Sequence, residues 1–512
     1  MPCEDDLKHA SSLDDPGSAS QEKIEDERKD EVDVLPEESR RAAERKLVRK
    51  LDCRLMPTVV VIYLLNYLDR VAVTSARLQG LERDLKLSDV QYDAVVAVLF
   101  ASYCPAQIPS NIIISYISRP SLYIGACVVA WGLTSALSGA THNFIGLLLC
   151  RIFIGLPEAA FYPGCSYLLS RWYTKKELAF RSAIFYEGQM ISNAFGSLAA
   201  AGILGNMEGA LGIAAWRWLF YIEGAITMFF GFQVMWLLPD WPDNTRWLSK
   251  AELRLAQVRL AEDAGEADKD ADVSILEGFK LAIRDPKVPL FMLMQFAELI
   301  GLGFVNFFPT LVGTLGFSTT TTLLLCAPPW IVAGFLSVGN AWIADKRGDR
   351  FWSLAIWWWI CTIGYIIGLS TMSTGGRYFY LFCLCSGYVG FALTLAWVSN
   401  AVPRPPAKRS AAIGLVNGFG NTALIVSSFM WKADWGPQYQ PSMIISIAAM
   451  AFAFVLACII RYMLVQENKK MDRDELEIIE GPERERIEEA ARLEGISFDE
   501  AVRRRKGFRY LT

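Results

Sequence analysis

Histidine is nearly absent: His9 and His142 are the only two in 512 residues. No Cys/His cluster has metal-ligand spacing, so the sequence offers no metal site on which a function could rest. There is no glycine-rich phosphate loop, and ATP-driven chemistry therefore has no support. The first fifty residues are acidic and polar without an apolar core, so no signal peptide is expected. Cysteine is not scarce, but a disulfide framework is still not expected. Nine of the eleven (Cys104, Cys127, Cys150, Cys165, Cys326, Cys361, Cys383, Cys385 and Cys458) fall within or beside apolar runs. A thiol there behaves as a small hydrophobe. No constellation of nucleophile, base and orienting group is found, so an enzyme is not expected. No cofactor is called for, and neither is a nucleic-acid partner.

What the chain does have is apolar length. Hydrophobic residues make up 53% of it, and runs of about 20 residues recur, the length that crosses a bilayer as a helix. Six such runs are expected near 55–75, 92–116, 121–140, 143–170, 178–204 and 217–238. Six more are expected near 288–312, 321–344, 351–371, 378–401, 411–432 and 441–464. The expected fold is an all-α membrane protein of 12 transmembrane helices in two six-helix bundles. The expected organisation is a disordered polar tail over 1–50, a first bundle over 51–238, a charged central loop over 239–286, a second bundle over 287–466 and a polar tail over 467–512. A helix is expected in that last tail through Glu483–Arg505. Basic residues collect in alternate short loops, at Arg45–Arg54, Arg171–Lys176, Lys346–Arg350 and Arg404–Arg409. Such loops stay on the cytoplasmic side, which places both termini and the central loop there.

Within the fourth run the stretch RIFIGLPEAAFYPG, Arg151 to Gly164, carries a cation, a carboxylate and a phenol. Arg151 and Glu158 are seven residues apart, almost two helical turns, so both face one side about 10 Å apart along the axis. Tyr162 follows four residues later on that side. Ionisable groups in hydrocarbon usually face a water-filled path and mark a substrate or proton route. The alternative is an Arg–Glu pair that only pins two helices. Pro157 removes one backbone hydrogen bond beside Glu158 and kinks the helix there. The first run closes on NYLDR, with Asp69 and Arg70 in the outer half of the bilayer or ending the helix at its rim. Intramembrane charge is concentrated in the first half, at Asp69, Arg70, Arg151, Glu158, Glu187 and Glu223, against Glu298 alone in the second. The second half would then contribute uncharged polar groups such as Asn306, Asn400, Asn417 and Asn421.

Between runs eight and nine stands AWIADKRGDR, in which Asp345, Arg347 and Arg350 form a candidate gating latch. The matching place after run two, SYISRPSLYIG, lacks an acid.

These features together resemble the major facilitator superfamily. NYLDR (66–70) and RIFIGLPEAAFYPG (151–164) resemble motifs of its anion:cation symporter family. WRWLFYIEG (216–224), Lys408–Arg409, NGFGN (417–421) and the terminal FRYLT (508–512) resemble the fungal allantoate-permease-like branch. The resemblance implies a monomeric secondary transporter, at the plasma membrane by family default, that moves a small organic anion such as a vitamin-like or ureide carboxylate together with protons. It further implies that Asp69 and Glu158 exchange protons, that Arg70 and Arg151 meet the substrate carboxylate, and that Asn417 lines the cavity, with Tyr162 beside it. An exporter of a carboxylate-bearing metabolite and a non-transporting nutrient sensor are the alternatives. The chain departs from the branch in NAVPRPPAKR (400–409), in Pro157 and in Tyr186-Glu187-Gly188. Glu187 is expected to add negative charge to the cavity.

Overall fold

The computed structural model describes residues 37–265, 275–402, 406–480 and 510–511. All regular structure among them is helical. In the first half, besides the short helix Leu81–Leu85, the helices are α1 (Glu37–Arg77), α2 (Asp89–Tyr116), α3 (Pro120–Ser138), α4 (Phe144–Glu158), α5 (Phe161–Ser170), α6 (Lys175–Asn206) and α7 (Ala215–Leu237). The central segment holds α8 (Lys250–Gly265) and α9 (Ile275–Arg284). The second half holds α10 (Lys287–Gly301), α11 (Phe308–Gly313), α12 (Thr319–Arg347), α13 (Phe351–Ser370), α14 (Thr374–Ser386), α15 (Tyr388–Ala401), α16 (Pro406–Asn421), α17 (Ala423–Ser428) and α18 (Gln440–Glu480).

Counted as spans, with α4–α5, α10–α11, α14–α15 and α16–α17 each forming one, these make six crossings in each half. Among the described residues, ten are both long and apolar enough by composition to cross a bilayer. The other two, α2 and α6, are 28 and 32 residues long, and they turn Asp93, Gln107 and Ser110, or Gln189, Ser192 and Asn193, into the protein interior. Since each half crosses an even number of times, the central segment and the start of α1 lie on one face, here called the terminal face.

Boundaries differ from expectation in two places. Helix α1 begins at Glu37 and buries Leu47 and Leu51, so residues 37–50 are helix rather than tail. It also runs on to Arg77, seven residues past NYLDR. Asp69 and Arg70 therefore sit inside a spanning helix and do not end it. The helix expected over Glu483–Arg505 lies outside the described residues, as do residues 1–36.

Close packing in the first half depends on small residues. A Cβ on Gly224 would lie 2.6 Å from the backbone of Gly132 and Ala136, and one on Gly155 would lie 2.2 Å from Ser102 Oγ. Helices α7 and α3, and α4 and α2, thus touch backbone to backbone, as small-residue interfaces in lipid allow. At the terminal face Asp240, just after α7, accepts from the backbone N and the hydroxyl of Ser121 at the start of α3. The acid absent from the loop after span two is supplied from the end of span six.

Ion pairs strap the central segment to each half separately. Lys50 and Glu177 of the first half bond Glu252 and Arg259 of α8 at 2.9 and 3.1 Å. Asp285, after α9, bonds Lys408 of the second half at 2.7 Å. At the opposite face the halves meet directly. Tyr92 lies edge-on to Phe307 with ring centroids 6.5 Å apart, Gly205 packs on Thr320, and Leu78 packs beside Gly313. Those contacts close the far end of the interface between the halves.

Candidate functional site

Four of the twelve spans are broken near their middles, and the breaks frame a cavity between the halves. Pro157 lacks the N–H that would bond Phe153, and the fourth span stops at Glu158 and restarts at Phe161. The seventh span passes through a 3₁₀ turn, Gly303–Phe307. The tenth breaks at Gly387, where a Cβ would lie 2.7 Å from Leu302 of the seventh. The eleventh breaks at Thr422. Backbone groups freed inside a membrane protein must find partners. Here Tyr365 donates to the carbonyl of Gly301 at 2.6 Å and Tyr388 to that of Leu302 at 3.1 Å.

The cavity offers about 60 Å³ to the centre of a water-sized sphere. The first half lines it with the phenols of Tyr63, Tyr67, Tyr103, Tyr162 and Tyr186, the ring of Phe100, and the amides of Gln189 and Asn193. The second half adds Asn306 from the 3₁₀ turn, Tyr388 and Phe391 just after the tenth-span break, and Asn417 and Asn421 just before the eleventh. Asn421 Nδ2 donates to Asn417 Oδ1 at 3.3 Å. Among the described residues that line the cavity, Arg70 is the one that carries a charge.

Arg70 is held on several sides. Its Nε lies 2.5 Å from Glu158 Oε1, and both side chains are nearly or fully buried. Its guanidinium sits 4.4 Å from the Tyr103 ring centroid and 5.0 Å from that of Tyr67, an arrangement that favours a cation against ring faces. Glu158 owes its position to the break: it is the last residue of α4, turned toward α1.

Arg151 does not bond Glu158. It donates to the backbone carbonyls of Asp69 at 3.3 Å and Arg70 at 3.1 Å, and it lines a small crevice beside the cavity with Arg70, Thr74 and Asn306. Asp69 points to the other side of α1. Its two carboxylate oxygens accept from Ser135 of α3 at 2.6 Å and Thr227 of α7 at 3.0 Å. The two stretches singled out in the sequence thus pack on each other, but only Arg70, Glu158 and Tyr162 meet at the cavity or its wall, with Asn417 opposite.

Other candidates lie elsewhere. Glu187 accepts from Ser337 of α12 at 2.6 Å and is not among the cavity-lining residues. It follows Tyr186 directly on α6, so it is turned about 100° away from that residue. Glu298, on α10 of the seventh span, is buried and accepts from Trp358 and Thr394. In AWIADKRGDR the helix ends at Gly348, whose φ of +66° suits glycine. Arg347 is exposed and Arg350 half-buried, while the side chain of Asp345 lies outside the described ones.

Sequence reasoning did not single out Gln189, Asn193 or the tyrosine wall. Tyr186, Gln189 and Asn193 stand at i, i+3 and i+7 of α6, a polar stripe on an otherwise apolar run, which is the signal that would have found them.

Comparison with known proteins agrees with this architecture. The description "Major Facilitator Superfamily" matches residues 59–428. The chain is 31% identical to the MFS-type transporter cnsO of Penicillium expansum over 84% of this chain and 85% of the relative. It is 27% identical to the major facilitator-type transporter hxnP of Emericella nidulans over 85% and 88%. Among solved structures it resembles an inward-facing bacterial homolog of the human lysosomal transporter Spinster, with a TM-score of 0.62 and 16% identity over 79% of this chain and 95% of that one. It also resembles a D-xylose-proton symporter, with a TM-score of 0.56 and 15% identity over 77% and 96%. The two likenesses to solved structures concern the fold; the match over most of the chain and the relatives make it a secondary transporter rather than an enzyme, and the chain belongs to the major facilitator superfamily.

Proposed function

We propose that the protein carries a small organic anion together with protons, by alternating access of the central cavity to the two faces. The observation that carries this reading is the Arg70–Glu158 pair in the cavity wall. A substrate carboxylate that reaches Arg70 competes with Glu158 for the same guanidinium. A carboxylate that loses its cation in a desolvated wall is too costly to remain charged, so Glu158 takes up a proton as the substrate binds. Release of the substrate restores the pair and expels the proton. That exchange links the two ligands without a further device.

On this reading Arg151 holds the Asp69–Arg70 turn of α1 at the right height, and Asp69 is a second proton-exchanging acid reached through its hydroxyl partners. The moving bodies are residues 51–238 and 287–466, the central segment follows the nearer half, and the protein works as a monomer. Its place is the plasma membrane with both termini cytoplasmic, in line with the basic residues at the terminal face. Asp345, Arg347 and Arg350 act as the gate at that face. The motifs shared with the allantoate-permease-like branch support an anionic substrate.

Purified protein screened by thermal shift against small carboxylates, ureides and vitamins at acidic and neutral pH tests the proposal. Stabilisation by a carboxylate that strengthens at acidic pH is expected. A carboxylate hit indifferent to pH would defeat the coupling, and hits confined to neutral compounds would defeat the anionic substrate.

A further inference from the structure

We infer that the cavity selects a planar aromatic or heteroaromatic ring bearing a single carboxylate. This rests on the organic-anion reading above and adds to it the shape and charge of the substrate.

The first argument is the wall. Tyr63 has its ring centroid 5.2 Å from that of Tyr67 and 5.8 Å from that of Tyr162, so three phenols form a continuous surface on the first half. From the second half Phe391 closes to 5.7 Å from Tyr186. A flat ring is the ligand shape that meets such surfaces through its faces and edges, in offset or edge-on contact. A compact aliphatic acid would leave most of that aromatic surface without close partners.

The second argument is charge. Arg70 is the one cation among the described residues lining the cavity, and Glu158 already neutralises it. One carboxylate can replace Glu158 at the guanidinium. A second would lie among phenols and amides with no cation, which is costly in a buried site.

The third argument is the unsatisfied polar edge. Tyr186 Oη, Gln189 Oε1, Asn193 Nδ2 and Asn306 Nδ2 are buried without a hydrogen-bond partner. Buried polar atoms are rarely left so. The first three form one stripe on α6, and Asn306 faces the same cavity from the seventh-span break. A ring nitrogen or a polar ring substituent, remote from the carboxylate, would satisfy donors and acceptor there.

Matched ligands separate these arguments on the full-length protein in detergent, with binding followed by calorimetry. Benzoate against cyclohexanecarboxylate tests the ring at constant size and charge. Pyridine-3-carboxylate against benzoate tests the polar edge, benzene-1,3-dicarboxylate tests the second charge, and pyridine-3-carboxamide tests the anion itself. Benzoate is expected to bind roughly three- to tenfold tighter than its saturated counterpart, pyridine-3-carboxylate tighter again, and the dicarboxylate more weakly than benzoate. Equal affinity for benzoate and cyclohexanecarboxylate would overturn this inference while leaving the anion reading standing. Binding of the carboxamide but of no carboxylate would overturn the anion reading itself. If no compound binds to protein that melts cooperatively, the inference is wrong. Tyr162→Leu should erase the preference for the flat ring, and Gln189→Leu the gain from the ring nitrogen. Each is checked for folding by its melting curve, and saturation-transfer NMR on pyridine-3-carboxylate bound to the unaltered protein should show its ring protons in contact; their absence would overturn the ring assignment without any variant.

Discussion

Ser337 donates a 2.6 Å hydrogen bond to Oε1 of Glu187, and the two residues belong to different halves of the molecule. The bond joins α6 to α12, the pair of helices along which the halves pack most extensively. Any rocking of one half against the other must strain or break it. Ser337→Ala would leave the half-buried Glu187 without its donor, which costs about 1–3 kcal/mol and weakens this arrangement of the halves. Spin labels at Leu211 and Phe317, both exposed at the far face, would report the change. Their distance distribution is expected to broaden toward longer separations in Ser337→Ala and to remain near the original in Glu187→Gln, which can still accept from the serine. An unaltered distribution in Ser337→Ala would mean that the bond has no part in setting the balance.

Glu158→Gln tests the coupling. Glutamine can still accept from Arg70, so the wall should keep its shape, but it cannot bind and release a proton. In liposomes the variant is expected to exchange substrate across equal pH and to lose accumulation driven by an imposed pH gradient. Accumulation that continues to follow the gradient would remove Glu158 from the proton path.

Much of this was readable from the sequence, and the reason is energetic. Charged residues in apolar runs are rare because they are costly, so Arg70, Arg151 and Glu158 stood out against their surroundings, and all three lie at or beside the cavity. Pro157 announced the fourth-span break through its missing N–H. The breaks at Gly303–Phe307, Gly387 and Thr422 did not announce themselves, because glycine and asparagine in a membrane helix more often serve packing than interruption. Partners were not readable either. Periodicity puts Arg151 and Glu158 on one face of one helix, but which neighbour each meets depends on how α1 crosses α4. Glu187 was misplaced for a similar reason: one step along α6 separates the cavity from the seam with α12.

Gly303 tests how tightly the seventh-span break is fitted. A Cβ there would approach Ser427 Cβ to 2.3 Å, and the contact involves the eleventh-span helix α17. Gly303→Val should therefore cost about 1–3 kcal/mol or more through overpacking and lower the melting temperature. Gly202→Val, at a position with open space around it, is the control and should melt close to the unaltered protein. Equal melting of the two variants would show that the break tolerates repacking.

Arg151→Ala should reach the membrane but fail to transport. The side chain is 2% exposed and its two bonds go to the carbonyls of Asp69 and Arg70. Losing charge-assisted bonds of this kind costs about 1.5–3 kcal/mol each at most, which loosens the α1 turn that presents Arg70. Arg151→Lys keeps the charge but only one donor position, and should recover part of the stability and little of the transport. Uptake at the unaltered rate in Arg151→Ala, with surface expression matched, would remove Arg151 from the mechanism.

Glu252 gives a prediction in pH outside the bilayer. Ser249 and Glu252 bond reciprocally at the start of α8, with Ser249 N 2.8 Å from Glu252 Oε2 and Glu252 N 3.2 Å from Ser249 Oγ. Lys50 of α1 adds two contacts, at 3.0 and 2.9 Å. Partial burial raises the affinity of the carboxylate for a proton, but the Ser249 N–H and hydroxyl and the Lys50 ammonium outweigh it and hold Glu252 below the usual carboxylate range. A carboxylate lowered in the folded state stabilises that state above its unfolded pKa of about 4.3, and the benefit is lost as pH falls through the folded value. Docking of α8 on α1 should therefore be firm at neutral pH and loosen only below about pH 4.3. Hydrogen exchange of the α8 amides, measured between pH 6 and pH 3.5 and corrected for the intrinsic rate, should show protection falling in that acidic window. Glu252→Gln should show weaker protection at pH 6 and no added loss there. A loss of protection that begins near pH 6 in the unaltered protein would point to another group as the one that holds the central segment in place.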